Sequence, residues 1–160
     1  MAALVLAAVG APVRASDVNQ LVAVLGPGTA FTTTFTGWAS TGAISTSARY
    51  WRTGNNVKVQ INTTLGTSPV TVGDITVTVP SGLPIDTTGM LLNSTLLNGQ
   101  VGLFDVGTGQ FTGVCRVIDA NTVRIFRNTT TSVAVVSNTA PFTWTAGDQL
   151  TIIFEYPVVP

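Results

Sequence analysis

The sequence predicts an all-β fold, an antiparallel β-sandwich of jelly-roll-like type preceded by a short N-terminal helix or arm. From residue 29 onwards Thr, Val and Ile dominate, and Gly, Pro, Asn and Asp interrupt them at short intervals. Apolar and polar residues alternate in several of the intervening stretches, for example over Asp74–Pro80. Nine or ten strands of this kind at regular spacing are typical of a sandwich or a jelly roll.

The composition is that of one domain with few charges. A chain of 160 residues buries enough surface to fold without a metal ion or a disulfide. Charged residues make up 9% of the chain, whereas globular proteins contain about 25%. The surface must therefore consist mainly of neutral polar groups, which suits an extracellular location, a virus particle or burial in an assembly.

The charge balance argues against a nucleic-acid partner. Seven basic and seven acidic residues give zero net charge, and Lys and Arg never form a run. Nucleic-acid binders cluster cations to replace counterions, so no nucleic-acid binding is expected. A chain without net charge has little electrostatic protection against self-association, which favours a permanent oligomer.

The first residues are predicted to be an arm that does not insert into a membrane. Ala2–Ala11 is apolar, but no basic residue precedes Arg14, unlike the start of a secretory signal. The run is also shorter than the roughly 20 residues that a membrane span needs. We interpret it as a buried or partner-bound arm, and the alternative is the remnant of a signal peptide.

A short helix is predicted over about Asp17–Leu25. Ser16 is a suitable N-cap, Asp17 favours the first turn, and Gly26 and Pro27 end the pattern. Such a helix is too short to be stable alone, so it must dock on its own β domain, a symmetry mate or another protein. The predicted boundaries are residues 1–28 for the arm and helix and 29–160 for the β domain. The docking stripe, at helical spacing, is Val18, Leu21, Val22 and Leu25.

The β domain is predicted to contain the following strands, and no stretch in it favours a long helix. They are rich in β-branched and aromatic residues and are separated by turn-forming residues. The predicted strands are Phe31–Trp38, Ser47–Arg52, Val57–Asn62, Asp74–Pro80, Met90–Leu96, Gln100–Phe104, Phe111–Ile118, Thr122–Phe126, Ser132–Val136 and Gln149–Tyr156.

The strongest hairpin signal is Gly54–Asn55, which suits a two-residue turn. In that register Tyr50 faces Val59 and lies on the core side of the sheet. A slip of one residue would exchange the two faces. A second hairpin is predicted at Asp119–Thr122. If the first register holds, the outward face carries Trp51, Arg49, Lys58 and Gln60.

The residues needed for most catalytic and metal sites are missing from the sequence. The chain has no His and one cysteine, Cys115, so a Ser-His-Asp triad, a Cys-His pair and a zinc site are excluded. The Asp residues are scattered singly and form no calcium loop. We therefore predict no enzyme activity, no metal ion and no cofactor. Cys115 is expected to be a buried small hydrophobe.

Aromatic residues are the candidates for ligand binding. An exposed ring beside neutral polar groups can pack on the apolar face of a pyranose. Trp51, Arg49 and Trp38 are the predicted ligand-binding residues. Packing in the core or between subunits is the alternative for each Trp, and it is the stronger interpretation for Trp144, which follows Pro141 and Phe142 at a strand edge.

Several segments resemble domains at the C-termini of bacteriophage tail-fibre and minor tail proteins. Ala48–Val59 (ARYWRTGNNVKV) contains the Ala-Arg-Tyr, the Arg and the Gly that commonly precede a Val-rich strand in those domains. The likeness continues in Leu65–Thr67, Ile75–Pro84 and Pro141–Leu150. Ala15–Leu21 looks like the short N-terminal segment of many phage virion proteins.

The resemblance implies a virion location, a β-sandwich fold and a homotrimer. The leading hypothesis is a fibre or tip protein in which residues 1–28 attach to other virion proteins of the tail or capsid. The β domain would then bind host cell-surface carbohydrate through three weak sites that act together. One alternative is a capsid decoration or head-fibre protein that has a stabilising or display role and binds no receptor. Another is a polysaccharide depolymerase that uses paired carboxylates.

Overall fold

The computed structural model of the chain describes residues 27–39, 45–66, 70–88, 98–107, 109–137 and 139–159. None of these residues is helical, and none forms a helix long and apolar enough to cross a membrane. The described residues form β1 (Thr29–Ala30), β2 (Phe35–Ala39), β3 (Ser45–Thr53), β4 (Asn56–Thr64), β5 (Val70–Thr78), β6 (Asn98–Asp105), β7 (Gly109–Asp119), β8 (Thr122–Asn128), β9 (Val133–Val135) and β10 (Gln149–Pro157).

The strands form one antiparallel sheet that curls into a half-barrel. Its order is β1-β3-β4-β10-β6-β7-β8-β5-β2, and β9 pairs with β8 outside this path. The C-terminal strand β10 lies between β4 and β6, with nine register pairs to β4 and seven to β6. The last strand of the chain therefore joins the first hairpin to the rest of the sheet.

The prediction of an antiparallel all-β fold is confirmed, whereas the jelly-roll-like sandwich is not supported. The described strands follow one continuous pairing path instead of forming two facing sheets. Alternation shows which face of a strand is buried, but a sheet can bury that face either against a second sheet or by curling on itself. The predicted helix, with Val18, Leu21, Val22 and Leu25, lies outside the described residues, as does the predicted strand Met90–Leu96.

The core is the inner face of the curled sheet, and β10 shows the pattern that builds it. Leu150, Ile152, Phe154 and Tyr156 are each at most 1% exposed, and the residues between them face outward. The Tyr156 hydroxyl donates to the carbonyl of Leu83 over 3.0 Å, so its one polar group is satisfied inside the core. Complete burial of such a side chain contributes roughly 1.5–3 kcal/mol.

The predicted hairpin between β3 and β4 is confirmed. Gly54 has a φ of +59°, in the left-handed region that such a turn requires. Thr53 pairs with Asn56 and Tyr50 with Val59, as the turn chemistry predicted. Trp51 therefore lies on the outer face of the sheet, opposite Lys58.

Cys115 lies in the core, as expected for a small hydrophobe. Its side chain is fully buried on β7, and burial raises the pKa of the thiol to about 12. The thiol therefore stays protonated at neutral pH. Because the thiolate is the nucleophilic form of cysteine, Cys115 is chemically inert in the folded protein.

Candidate functional site

The outer face of the sheet carries a groove that crosses the consecutive strands β3, β4, β10, β6 and β7. Three shallow clefts adjoin there, of about 410, 490 and 490 Å³. The first and second share Ile153, and the second and third share Gly102, Thr112 and Thr151. We call these clefts together the outer groove. Its outward side chains include Trp51, Lys58, Gln60, Gln100, Phe104, Gln110, Thr112, Asn128, Gln149, Thr151, Ile153 and Glu155.

The first cleft is the aromatic end of the groove. Trp51, Lys58 and Glu155 form one cross-strand row over β3, β4 and β10. The Lys58 ammonium lies 3.9 Å from the Glu155 carboxylate, and the two side chains are 54% and 37% exposed. An ion pair this open contributes about 0–1 kcal/mol. The side chains of this pair can therefore rearrange towards a ligand at little cost.

The middle of the groove is a row of small neutral residues. Asn62, Thr151, Gly102 and Thr112 are register partners in turn across β4, β10, β6 and β7. The row ends where the Asn128 side-chain amide donates to the Thr112 hydroxyl over 3.2 Å. Gly102 has no side chain and is exposed, so no side chain covers the strand backbone at this point of the groove.

The groove presents hydroxyl and amide groups and few charges. Lys58 and Glu155 are the charged residues among those that line the three clefts. The remaining polar side chains can each donate and accept hydrogen bonds without the desolvation cost of an ion. Such a surface is chemically matched to a neutral polyhydroxylated ligand.

Arg49 and Trp51, two of the predicted ligand-binding residues, contact the segment that enters the sheet. The Arg49 guanidinium donates to the carbonyl oxygens of Pro27, over 2.9 Å, and Gly28, over 3.3 Å. Gly28 has a φ of +76°, and a Cβ atom there would lie 2.6 Å from Cε2 of the Trp51 ring. The ring thus packs on a position that only glycine fits. The two side chains fix where residues 27–28 join the domain, and Trp51 also borders the first cleft.

Trp38, the third predicted ligand-binding residue, is packed in the core, which is the alternative that the sequence offered for it. Its side chain is 8% exposed, and its ring centroid lies 4.9 Å from that of Phe35 and 5.6 Å from that of Trp144. Trp144 is 2% exposed and donates its indole N–H to the carbonyl of Ser137, in agreement with the packing role expected for it. Trp51 is therefore the tryptophan that borders the groove.

Carboxylates do not gather along the groove. Within the described residues, no group of three or more His, Cys, Asp or Glu residues could hold a metal ion. Glu155 is the one carboxylate among the residues that line the three clefts, whereas glycoside hydrolysis uses a pair.

Sequence reasoning missed the middle of the groove. Gly102 and Thr112 pair across the consecutive strands β6 and β7, whereas Thr151 lies beside them only because β10 lies between β4 and β6. The alternation of each strand predicted the outward direction of these residues, but nothing local predicted that Thr151 would lie beside the other two. Comparison with protein-family models, curated proteins and solved structures gave no match to this chain. The outer groove is therefore the structural feature from which a function can be proposed.

Proposed function

We propose that the chain is a bacteriophage virion structural protein of the fibre or tip type, and that its outer groove binds glycans of the host-cell surface. The observation that carries the ligand class is the row of neutral hydroxyl and amide groups that crosses the sheet from Asn62 to Asn128. The resemblance of Ala48–Val59 to phage tail domains supports the virion location.

A glycan fits the groove for two physical reasons. Its hydroxyl groups exchange hydrogen bonds with neutral side chains such as Gln60, Thr112 and Thr151, and the apolar face of a sugar ring packs on an aromatic ring such as Trp51. A shallow groove leaves much of the ligand in water, so each site is weak. Three identical sites on one particle-bound trimer would raise the overall affinity through their high effective concentration.

A capsid decoration or head-fibre protein without a receptor is the second candidate. The contacts of Arg49 and Trp51 with residues 27–28 favour it, because they give both side chains a structural role that needs no ligand. A depolymerase is the least supported candidate, since Glu155 has no second carboxylate beside it among the residues that line the groove.

The proposed homotrimer predicts the mass of the chain in solution. Light scattering after gel filtration should give about three times 16.6 kDa. A trimer would place three grooves on one body and permit avidity. A mass of 16.6 kDa at micromolar concentration would contradict the trimer and favour a protein that acquires its symmetry from the particle.

The proposed groove predicts the effect of filling it. Gly102→Leu places a side chain on the groove floor, where the nearest atom to a new Cβ is 3.8 Å away. We expect binding to a printed array of bacterial-surface glycans to fall about tenfold or more, a loss of about 1.4 kcal/mol. Trp51→Ala should weaken binding similarly, but it also removes the contact with Gly28, so Gly102→Leu is the cleaner variant.

Gly73→Leu is the matched control for this measurement. Gly73 is also exposed on a strand, a Cβ there meets nothing within 4 Å, and it does not line the groove. We expect this variant to bind glycans as the parent chain does. Two results would contradict glycan binding by the groove: equal binding by Gly102→Leu and the parent chain, or no binding of the parent chain to any glycan. Either result would favour the capsid decoration role.

A further inference from the structure

Two arginines lie directly opposite each other on neighbouring strands, away from the outer groove. Arg116 on β7 and Arg124 on β8 are register partners, so their side chains leave the same face of the sheet. Like charges in this position repel each other. The pair is notable in a chain that contains seven basic residues in all.

The neighbouring groups neutralise this charge only in part. The Arg124 guanidinium lies 3.3 Å from the Asp74 carboxylate, and both side chains are more than a third exposed. The Arg116 guanidinium lies over the Phe126 ring, 4.6 Å from its centroid. Stacking on a ring holds a guanidinium in place while its N–H groups point outward in its own plane, away from the ring face.

One hydrogen-bond donor of each arginine, its Nε–H, has no acceptor. The Nε atoms of Arg116 and Arg124 are both buried and lack a hydrogen-bond partner. Among the residues that the structure describes, no carboxylate forms an ion pair with Arg116. Buried donors without acceptors are destabilising, so a ligand that brings acceptor oxygens and negative charge would relieve both this deficit and the repulsion.

We propose that Arg116 and Arg124 form a binding site for an oxyanion of the phosphate type. Two guanidinium groups can share the oxygens of one phosphate, each through parallel N–H···O hydrogen bonds. Phe126 orients Arg116, and Asp74 orients Arg124. The phosphate can be a free ion or the phosphoryl group of a saccharide. This site does not rest on glycan binding by the outer groove, and each can exist without the other.

The experiment is a phosphate titration followed by NMR of the arginine side chains. The ¹H and ¹⁵N resonances of the Nε–H groups of Arg116 and Arg124 are recorded in the full chain at pH 7. Sodium phosphate replaces sodium chloride at constant ionic strength. We expect saturable shifts at these two residues and not at Arg52, whose Nε–H already donates to the Gly54 carbonyl over 2.9 Å. Parallel titrations with glucose and glucose 6-phosphate distinguish a free ion from a sugar phosphate.

Three variants complete the test. Arg116→Gln should raise the phosphate dissociation constant about tenfold or more, since it removes charge-assisted hydrogen bonds. Arg116→Lys should recover part of the affinity, because it restores the charge without the planar fork. Arg52→Gln, the control, should bind as the parent chain does. Shifts that do not saturate with either phosphate compound, or an unchanged dissociation constant in Arg116→Gln, would overturn the proposal.

Discussion

Gly113→Ala should lower the free energy of unfolding by about 3 kcal/mol. Gly113 is buried on β7, and a Cβ atom there would overlap the carbonyl oxygen of Phe126 and lie 3.2 Å from Cα of Arg127. Both are backbone atoms of the paired strand β8 and cannot swing aside as the end of a side chain can. The added methyl group must therefore push β7 and β8 apart where Gly113 pairs with Arg127.

Urea unfolding followed by tryptophan fluorescence measures this loss, because Trp38 and Trp144 are both buried. The matched control is Gly102→Ala on the adjacent strand, where the nearest atom to a new Cβ lies 3.8 Å away, at ordinary contact distance. We expect the control to stay within about 0.5 kcal/mol of the parent chain. Equal urea midpoints for Gly113→Ala and Gly102→Ala would contradict the close approach of β7 and β8 at Gly113.

Local chemistry made the first hairpin predictable. The Gly54–Asn55 turn fixes the pairing of its flanking residues, so the outward direction of Trp51 followed from a few neighbouring positions. The sheet order was not predictable in the same way. β10 comes from the end of the chain and lies between β4 and β6, and many other orders would satisfy the same alternation. The groove depends on that order, so its middle could not be found from the sequence.

Trp38 shows how one irregular residue changes the face of the sheet on which a side chain lies. The register of β2 against β5 shifts between Thr36 and Trp38, and Gly37 between them has a φ of +85°. This bulge changes the alternation along the strand. Phe35 and Trp38 both pack against the core although they are three positions apart. A regular strand would place them on opposite faces, and the sequence carries no signal for the bulge beyond the glycine itself.

For Arg49 and Trp51, the sequence predicted the outer face of the sheet correctly but did not predict their contacts with residues 27–28. Their outward direction followed from the turn, whereas their contacts with Pro27 and Gly28 join positions more than 20 residues apart. Outward polar and aromatic side chains in the sequence suggested a ligand. In the fold, both side chains contact residues 27–28, which lead into β1. Of the two, Trp51 also lines the groove.

Asp148→Ala should lower the free energy of unfolding by about 3 kcal/mol, because it removes a buried carboxylate together with the several hydrogen bonds that it accepts. Asp148 is fully buried. Its Oδ1 accepts from the Val106 backbone N–H over 3.1 Å, and its Oδ2 accepts from the Thr145 backbone N–H over 2.6 Å. The side chain thereby joins the turn between β6 and β7 to the loop before β10. Gln149, the next residue, lines the groove, so the same contacts hold that end of the groove in shape.

Asp119→Ala is the matched control, since Asp119 also accepts a backbone hydrogen bond, from Asn121 over 2.7 Å, but is exposed. There water can replace the lost acceptor, and we expect a loss of at most about 1 kcal/mol. Asp148→Asn should fall between the two, because its amide oxygen can serve one donor while its NH₂ group faces the other. Urea unfolding measures these differences: if the m values are unchanged, a shift of the midpoint concentration reports a change in stability. If Asp148→Ala were as stable as Asp119→Ala, water would have to enter the loop and satisfy Val106 and Thr145, and the two turns would then be joined by packing alone.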